Sequence, residues 1–291
     1  MQGPRMPIHD LSYQRWNGVR VERRSSWILG RAQFRALLRR RPIRFALGAS
    51  LVLTLAWGAA IYLESQLTRL GPLAKLAGGL SIDTAAFHRF LTVQRLLHWI
   101  LCVAAADAIA LDRRHRALQI LLARPVRRRD YVIGKAAGIG VVLALASWMP
   151  AMVLVLLKIA VRADVGWLAS DPYLVPGVLG YGMILMVVAT LLTLGVSSLS
   201  NSPRQASAQL FAVLAVSEAV SHVLSALTGR QGWRALSVAA DLDQMASWCF
   251  GLEPTHEFPP LLAAAALLGL CGIATLVLGR SVRAVQVVGG T

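Results

Sequence analysis

Six separate runs of about 20 apolar residues, at 43–63, 90–111, 136–157, 174–199, 206–226 and 259–279, limit what this chain can fold into. Each run is long enough to cross the hydrocarbon core of a bilayer. Backbone amides and carbonyls in lipid find no water to bond, so every such run must be a helix that satisfies its own groups. The remaining composition agrees. With 56% hydrophobic and 15% charged residues, a 291-residue chain has too little polar surface to cover a soluble globule. The expected fold is all-α: a polytopic integral membrane protein with six transmembrane helices.

A net charge of +16 would suggest nucleic acid in a soluble protein, but here the arginines lie between the apolar runs. They read as topology, and no nucleic-acid partner is expected. With the N-terminus in the cytoplasm, about 22 of the 30 Lys and Arg residues stay on that side and about 7 lie outside. The opposite orientation would carry Arg39-Arg40-Arg41 and Arg127-Arg128-Arg129 across the membrane, so both termini are predicted to be cytoplasmic. Cys102, Cys249 and Cys271 are too scattered for a disulfide framework or a paired-cysteine metal site. The first run has no small-residue cleavage pattern and is read as a permanent span.

The chain divides into a basic leader (1–42), a six-helix domain (43–280) and a tail (281–291). Within the leader, Trp27, Ile28, Arg31, Phe34, Arg35, Leu38 and Arg39 mix apolar and basic character at helical spacing, which predicts an amphipathic interfacial helix after Ser25 and Ser26. Membrane lipids are therefore expected partners. The long outer loop, 227–258, is expected to carry a short helix over 239–250.

The stretch 107–135 is the most informative: DAIALDRRHRALQILLARPVRRRDYVIGK. Leu118, Ile120, Leu121 and Leu122 make an apolar edge on a short helix whose other face carries Arg113, Arg114, Arg116 and Gln119. Pro125 ends that helix because it lacks an N–H and restricts the residue before it. Asp130 follows as a candidate N-cap, with Gly134 and Lys135 leading into the third span.

This string resembles the signature of the ABC type-2 permeases, in which an acid, a Leu-rich stretch, Arg-Pro, a basic residue, Tyr and Gly-Lys mark the first cytoplasmic loop. Asp112, Leu118, Leu121, Leu122, Pro125, Arg128, Tyr131, Gly134 and Lys135 are the matching positions. Six spans with both termini inside and an N-terminal interfacial helix resemble the family as well. The chain departs from it at Arg116, where many members have Gly, and in its long basic leader. The resemblance implies that residues 113–126, with Arg113, Arg114 and Arg116, form a cytoplasmic coupling helix seated on a nucleotide-binding subunit. It also implies an exporter permease of the bacterial cytoplasmic membrane, paired with a second copy of itself or a related permease.

No Walker A string is present, since Gly134-Lys135 is followed by Ala136 and Arg129 stands at the place of the first glycine. ATP and Mg are expected in the partner ATPase, with no cofactor or metal in this chain. No Ser or Cys nucleophile motif and no His-Glu-x-x-His is found, so no catalytic residue is expected and an enzyme is disfavoured. A membrane anchor or assembly factor that recruits a cytoplasmic partner without transport is the alternative reading.

Three ionisable groups inside apolar runs are candidates for a translocation path or gate: Asp107, Glu218 and His222. Asp107 is expected to pair with Arg113 or Arg114, or to take part in gating. Glu218 and His222, four apart on one helical face, either line a polar path or bind a cation, or merely satisfy each other. Arg95 and His98 are read as snorkelling toward headgroups. Asp241, Asp243, Glu253, His256 and Glu257 read as a solvated loop, their spacing being too irregular for a metal site.

Overall fold

The computed structural model describes residues 25–69, 82–115, 127–162, 166 and 171–287. Among them no strand occurs, and the chain is a bundle of long helices: α1 (Ser25–Leu38), α2 (Arg41–Arg69), α3 (Thr84–Ala105), α4 (Ala108–Arg114), α5 (Arg128–Ala144), α6 (Trp148–Arg162), α7 (Leu174–Leu199), α8 (Pro203–Thr228), α9 (Val238–Cys249) and α10 (Pro260–Val287). Five stretches are individually long and apolar enough to span a membrane: α2, α3 with α4, α7, α8 and α10. The pair α5–α6, bent by 41°, makes a sixth if it is counted as one broken span.

The bend in that third span has a local cause. Pro150 offers no N–H to the carbonyl one turn back. The chain compensates with tighter bonds at the break, Ala146 N–H to Leu143 O (3.1 Å) and Ser147 N–H to Ala144 O (3.2 Å), while the Ser147 hydroxyl donates to Leu143 O at 3.0 Å. The second span starts earlier than its apolar run, because the Asp83 carboxylate caps α3 by accepting the Ala86 N–H at 3.0 Å.

Helix α7 is the spine. About 67% of its apolar window is buried, against 11% for α8, so α7 runs through the middle and α8 lies along the outside. Two apolar cores stack along the spine. One holds Phe87, Phe90, Leu154, Tyr181, Phe250 and Phe258. The other holds Leu37, Ile43, Leu101, Ile109, Val142 and Leu194, and it lies toward the end of the bundle where the arginine-rich segment between α4 and α5 emerges. Helix α9 forms as expected within the loop after α8, but it is folded onto α7 and α10, with Leu242, Met245 and Ala246 buried.

Candidate functional site

At the arginine-rich end, α1, α4 and α5 meet around one buried ammonium group. Helix α5 starts after Arg127, which sits at the N-cap with extended backbone, and Asp130 falls in the first turn and not at the cap the sequence suggested. There its carboxylate still faces the positive end of the helix dipole. Tyr131, Gly134 and Lys135 follow at helical spacing and all turn inward.

Lys135 is only 8% exposed, yet its charge is fully matched. Its Nζ lies 2.8 Å from Asp112 Oδ2, donates to Gln33 Oε1 at 2.8 Å and donates to Ala108 O at 3.0 Å. Three protons thus find three oxygen acceptors on two other helices, which is what a buried lysine requires. The Tyr131 hydroxyl donates to the same Asp112 oxygen at 2.8 Å, and the Lys135 ammonium lies 5.8 Å from the Tyr131 ring centre.

The two glycines set how closely α1 approaches. A Cβ on Gly134 would stand 2.7 Å from Leu29 Cβ and 2.8 Å from Ser26 O; on Gly138 it would stand 2.7 Å from Gln33 Cβ and 2.8 Å from Gly30 O. Nothing larger than hydrogen fits. Small residues four apart are how helices in a membrane bring their backbones together. The contacts advance in step, from Ser26 at Gly134 to Gln33 at Gly138, so α1 runs in the same direction as α5 and delivers Gln33 to Lys135.

The base of the arginine-rich segment is tied down on its other side too. Arg113 donates to Ser198 O at 2.8 Å and Ser281 Oγ at 2.6 Å, joining α4 to the ends of α7 and α10. Ser197 Oγ accepts the Ile109 and Ala110 amides at 2.9 and 3.2 Å. It supplies the cap that Asp107, at the N-cap position of α4, does not. Asp107 pairs with Arg40, not with Arg113 or Arg114. Arg113 is held by the two serines, and Arg40, in the link from α1 to α2, arrives beside Asp107 while also donating to Ala104 O.

Of the residues the sequence singled out, Asp112, Arg113, Tyr131, Gly134 and Lys135 converge here; Arg114 is exposed and Arg128 half-buried nearby. Arg116, Leu118, Leu121, Leu122 and Pro125 lie outside the described residues. Gln33, Gly30, Gly138, Ser197, Ser198 and Ser281 were missed. Gly134 and Gly138, four apart in an apolar run, were the one legible signal among the packing residues; the serines gave none.

At the opposite end, two expectations are corrected. Arg95 does not snorkel: it pairs with Asp243 at 2.7 Å inside the bundle, and His98 is buried. Of the loop acids Glu253 and Glu257 are exposed as expected, but Asp241 and Asp243 turn inward. Helix α9 carries Asp241 inward to 3% exposure, where Oδ1 has no hydrogen-bond partner, and burial pushes this carboxyl up to about 8. His256 is shifted below its ordinary range by burial and stacks on Phe258, ring centres 5.5 Å apart. Among the described residues no three His, Cys, Asp or Glu side chains converge as metal ligands.

Glu218 and His222 bond to each other at 2.8 Å, and both are drawn into a wider cluster: Glu218 also accepts from the Ser237 hydroxyl, and Arg234 lies against the His222 ring at 2.7 Å. Among the described residues Glu218 is the one carboxylate lining an apolar cavity of about 680 Å3 bounded by Trp99, Val103, Phe211 and Leu214.

Several long apolar helices around a buried spine define a multi-pass membrane protein. Residues 96–279 match the family model described as ABC-2 family transporter protein, more than half of the chain, and the chain belongs to that family. Its members are membrane components of ABC transporters and usually work with an ATPase subunit. None of the curated proteins compared with this chain matches it.

Proposed function

We propose that this chain is the permease subunit of an ATP-driven exporter, moved by a separate ATPase that docks on residues 113–126. The observation that carries the reading is the set of ties at the two feet of that segment. Asp112 and Arg113 at one foot, and Tyr131 and Lys135 at the other, join it to α1, α7 and α10. A push on the segment would therefore move several helices as one body.

ATP and Mg reside on the ATPase, and this chain contributes no catalytic group. Two membrane subunits, identical or related, flank the passage in the bacterial cytoplasmic membrane, with both termini and the 113–126 segment on the cytoplasmic side. The positive-inside distribution of arginine supports that orientation. Closure of the ATPases around ATP drives 113–126, and the anchored helices reorient the spans. The apolar cavity beside α8, with its single carboxylate, suits a hydrophobic or amphipathic cargo.

The test is tagged purification from the native membrane in mild detergent. A Walker-A ATPase is expected to co-purify with the wild type and to be lost when Leu118 and Leu121 are both changed to Asp. No ATPase with the wild type would overturn the exporter reading in favour of a non-transporting anchor or assembly factor.

A further inference from the structure

Beside the tight contact of α1 and α5 lies a groove of about 710 Å3, within the range of about 300–1,000 Å3 usual for small-molecule sites. Its walls are Trp27, Phe34, Ile133 and Val141, and Arg31 and Arg35 stand at its rim. Three of the walls are open: Trp27, Ile133 and Val141 are all exposed.

The arginines at the rim are exposed as well. Arg31 and Arg35 are four residues apart on one face of α1, a helix that contains no acidic residue, and among the described residues neither makes an ion pair. On the opposite face of α1, Gln33 and Gly30 are engaged by α5. Two bare guanidinium groups above a chain-wide apolar groove call for an occupant that is anionic at one end and apolar at the other.

We infer that the groove between α1 and α5 binds one anionic phospholipid, an acyl chain lying along Trp27, Phe34, Ile133 and Val141 and its phosphate bridging Arg31 and Arg35. A guanidinium pair holds a phosphate through several N–H donors at once. A lipid of net negative charge is preferred over a zwitterionic one, whose own ammonium already offsets the phosphate. The occupant would press α1 onto α5 and so onto Lys135. The inference needs only the membrane-spanning nature of the chain and stands apart from the ATPase reading.

The experiment places purified protein in nanodiscs with lipids brominated on the acyl chain and follows quenching of Trp27, isolated as the difference between wild type and Trp27→Phe. Brominated phosphatidylglycerol is expected to quench at a mole fraction about 25-fold below that needed with brominated phosphatidylcholine. Changing Arg31 and Arg35 to Gln should abolish the preference, each arginine accounting for about a fivefold change, whereas the double Lys variant should retain it. Ala137→Phe, which fills the groove and leaves both arginines, should remove quenching by either lipid. Equal quenching by the two lipids in the wild type would overturn the inference without any variant. So would Gln variants that keep the lipid preference, including the case in which they lose a co-purifying protein and so assign the arginines to a protein contact.

Discussion

Neutralising Asp112 leaves the Lys135 ammonium buried among neutral acceptors alone, Gln33 Oε1 and Ala108 O with the new amide, and without a countercharge. Removing one partner of a buried ion pair costs about 3–5 kcal/mol, most of it the uncompensated charge that stays behind. For Asp112→Asn the thermal midpoint should therefore fall by on the order of 10 °C in detergent. Lys135→Met strands the carboxylate instead, with Tyr131 as its remaining donor, and also deprives Gln33 and Ala108 of theirs; a loss of similar size is expected. Combining the two removes both charges, so the double variant should lose less than the sum of the singles, by about 1–3 kcal/mol. The assay is thermal unfolding of the four proteins of the cycle, with hydrogen exchange read on α1 and α5. Because Lys135 joins these helices, amides of α1 should lose protection along with those of α5. Additive singles, or a Lys135→Met variant as stable as wild type, would refute the claim that the ammonium holds the three helices together.

Other substitutions test the remaining ties. Gly138→Leu places a side chain where even a Cβ would stand 2.7 Å from Gln33 Cβ, so it should destabilise by about 1–3 kcal/mol and expose α1 to proteolysis. Arg113→Ala removes the link from α4 to Ser198 and Ser281; a loss of about 1.5–3 kcal/mol is expected, with faster hydrogen exchange at the end of α10. Asp241 gives a pH signature. Its carboxyl titrates near 8 when folded against an ordinary value of 3.8, so between these pH values the native state keeps a proton the unfolded chain has lost. Stability from this group should fall as pH rises from 3.8 to about 8 and level off above. Asp241→Asn should flatten that slope in midpoint-against-pH curves and raise stability at pH 8, and an unchanged slope would exclude Asp241 as its source.

The helical membrane fold was written in local sequence, because a bilayer imposes one rule on every apolar run of about 20 residues and the rule needs no knowledge of neighbours. The motif faces were legible for the same reason: helical spacing alone puts Tyr131, Gly134 and Lys135 together once α5 forms. Even the bend of the third span had its sign in Pro150, although the apolar run masked it.

The pairing of charges was decided only by the tertiary structure. Arg40 with Asp107, and Arg95 with Asp243, join residues 67 and 148 positions apart, and the nearer arginines that sequence proximity favoured are otherwise engaged or exposed. Burial was equally nonlocal. Helix α9 was foreseeable as a helix, but its packing onto α7 and α10, which takes Asp241 out of water, depends on helices far from it in sequence. Periodicity determines which face a residue occupies; what that face meets depends on where helices far apart in the chain come to lie.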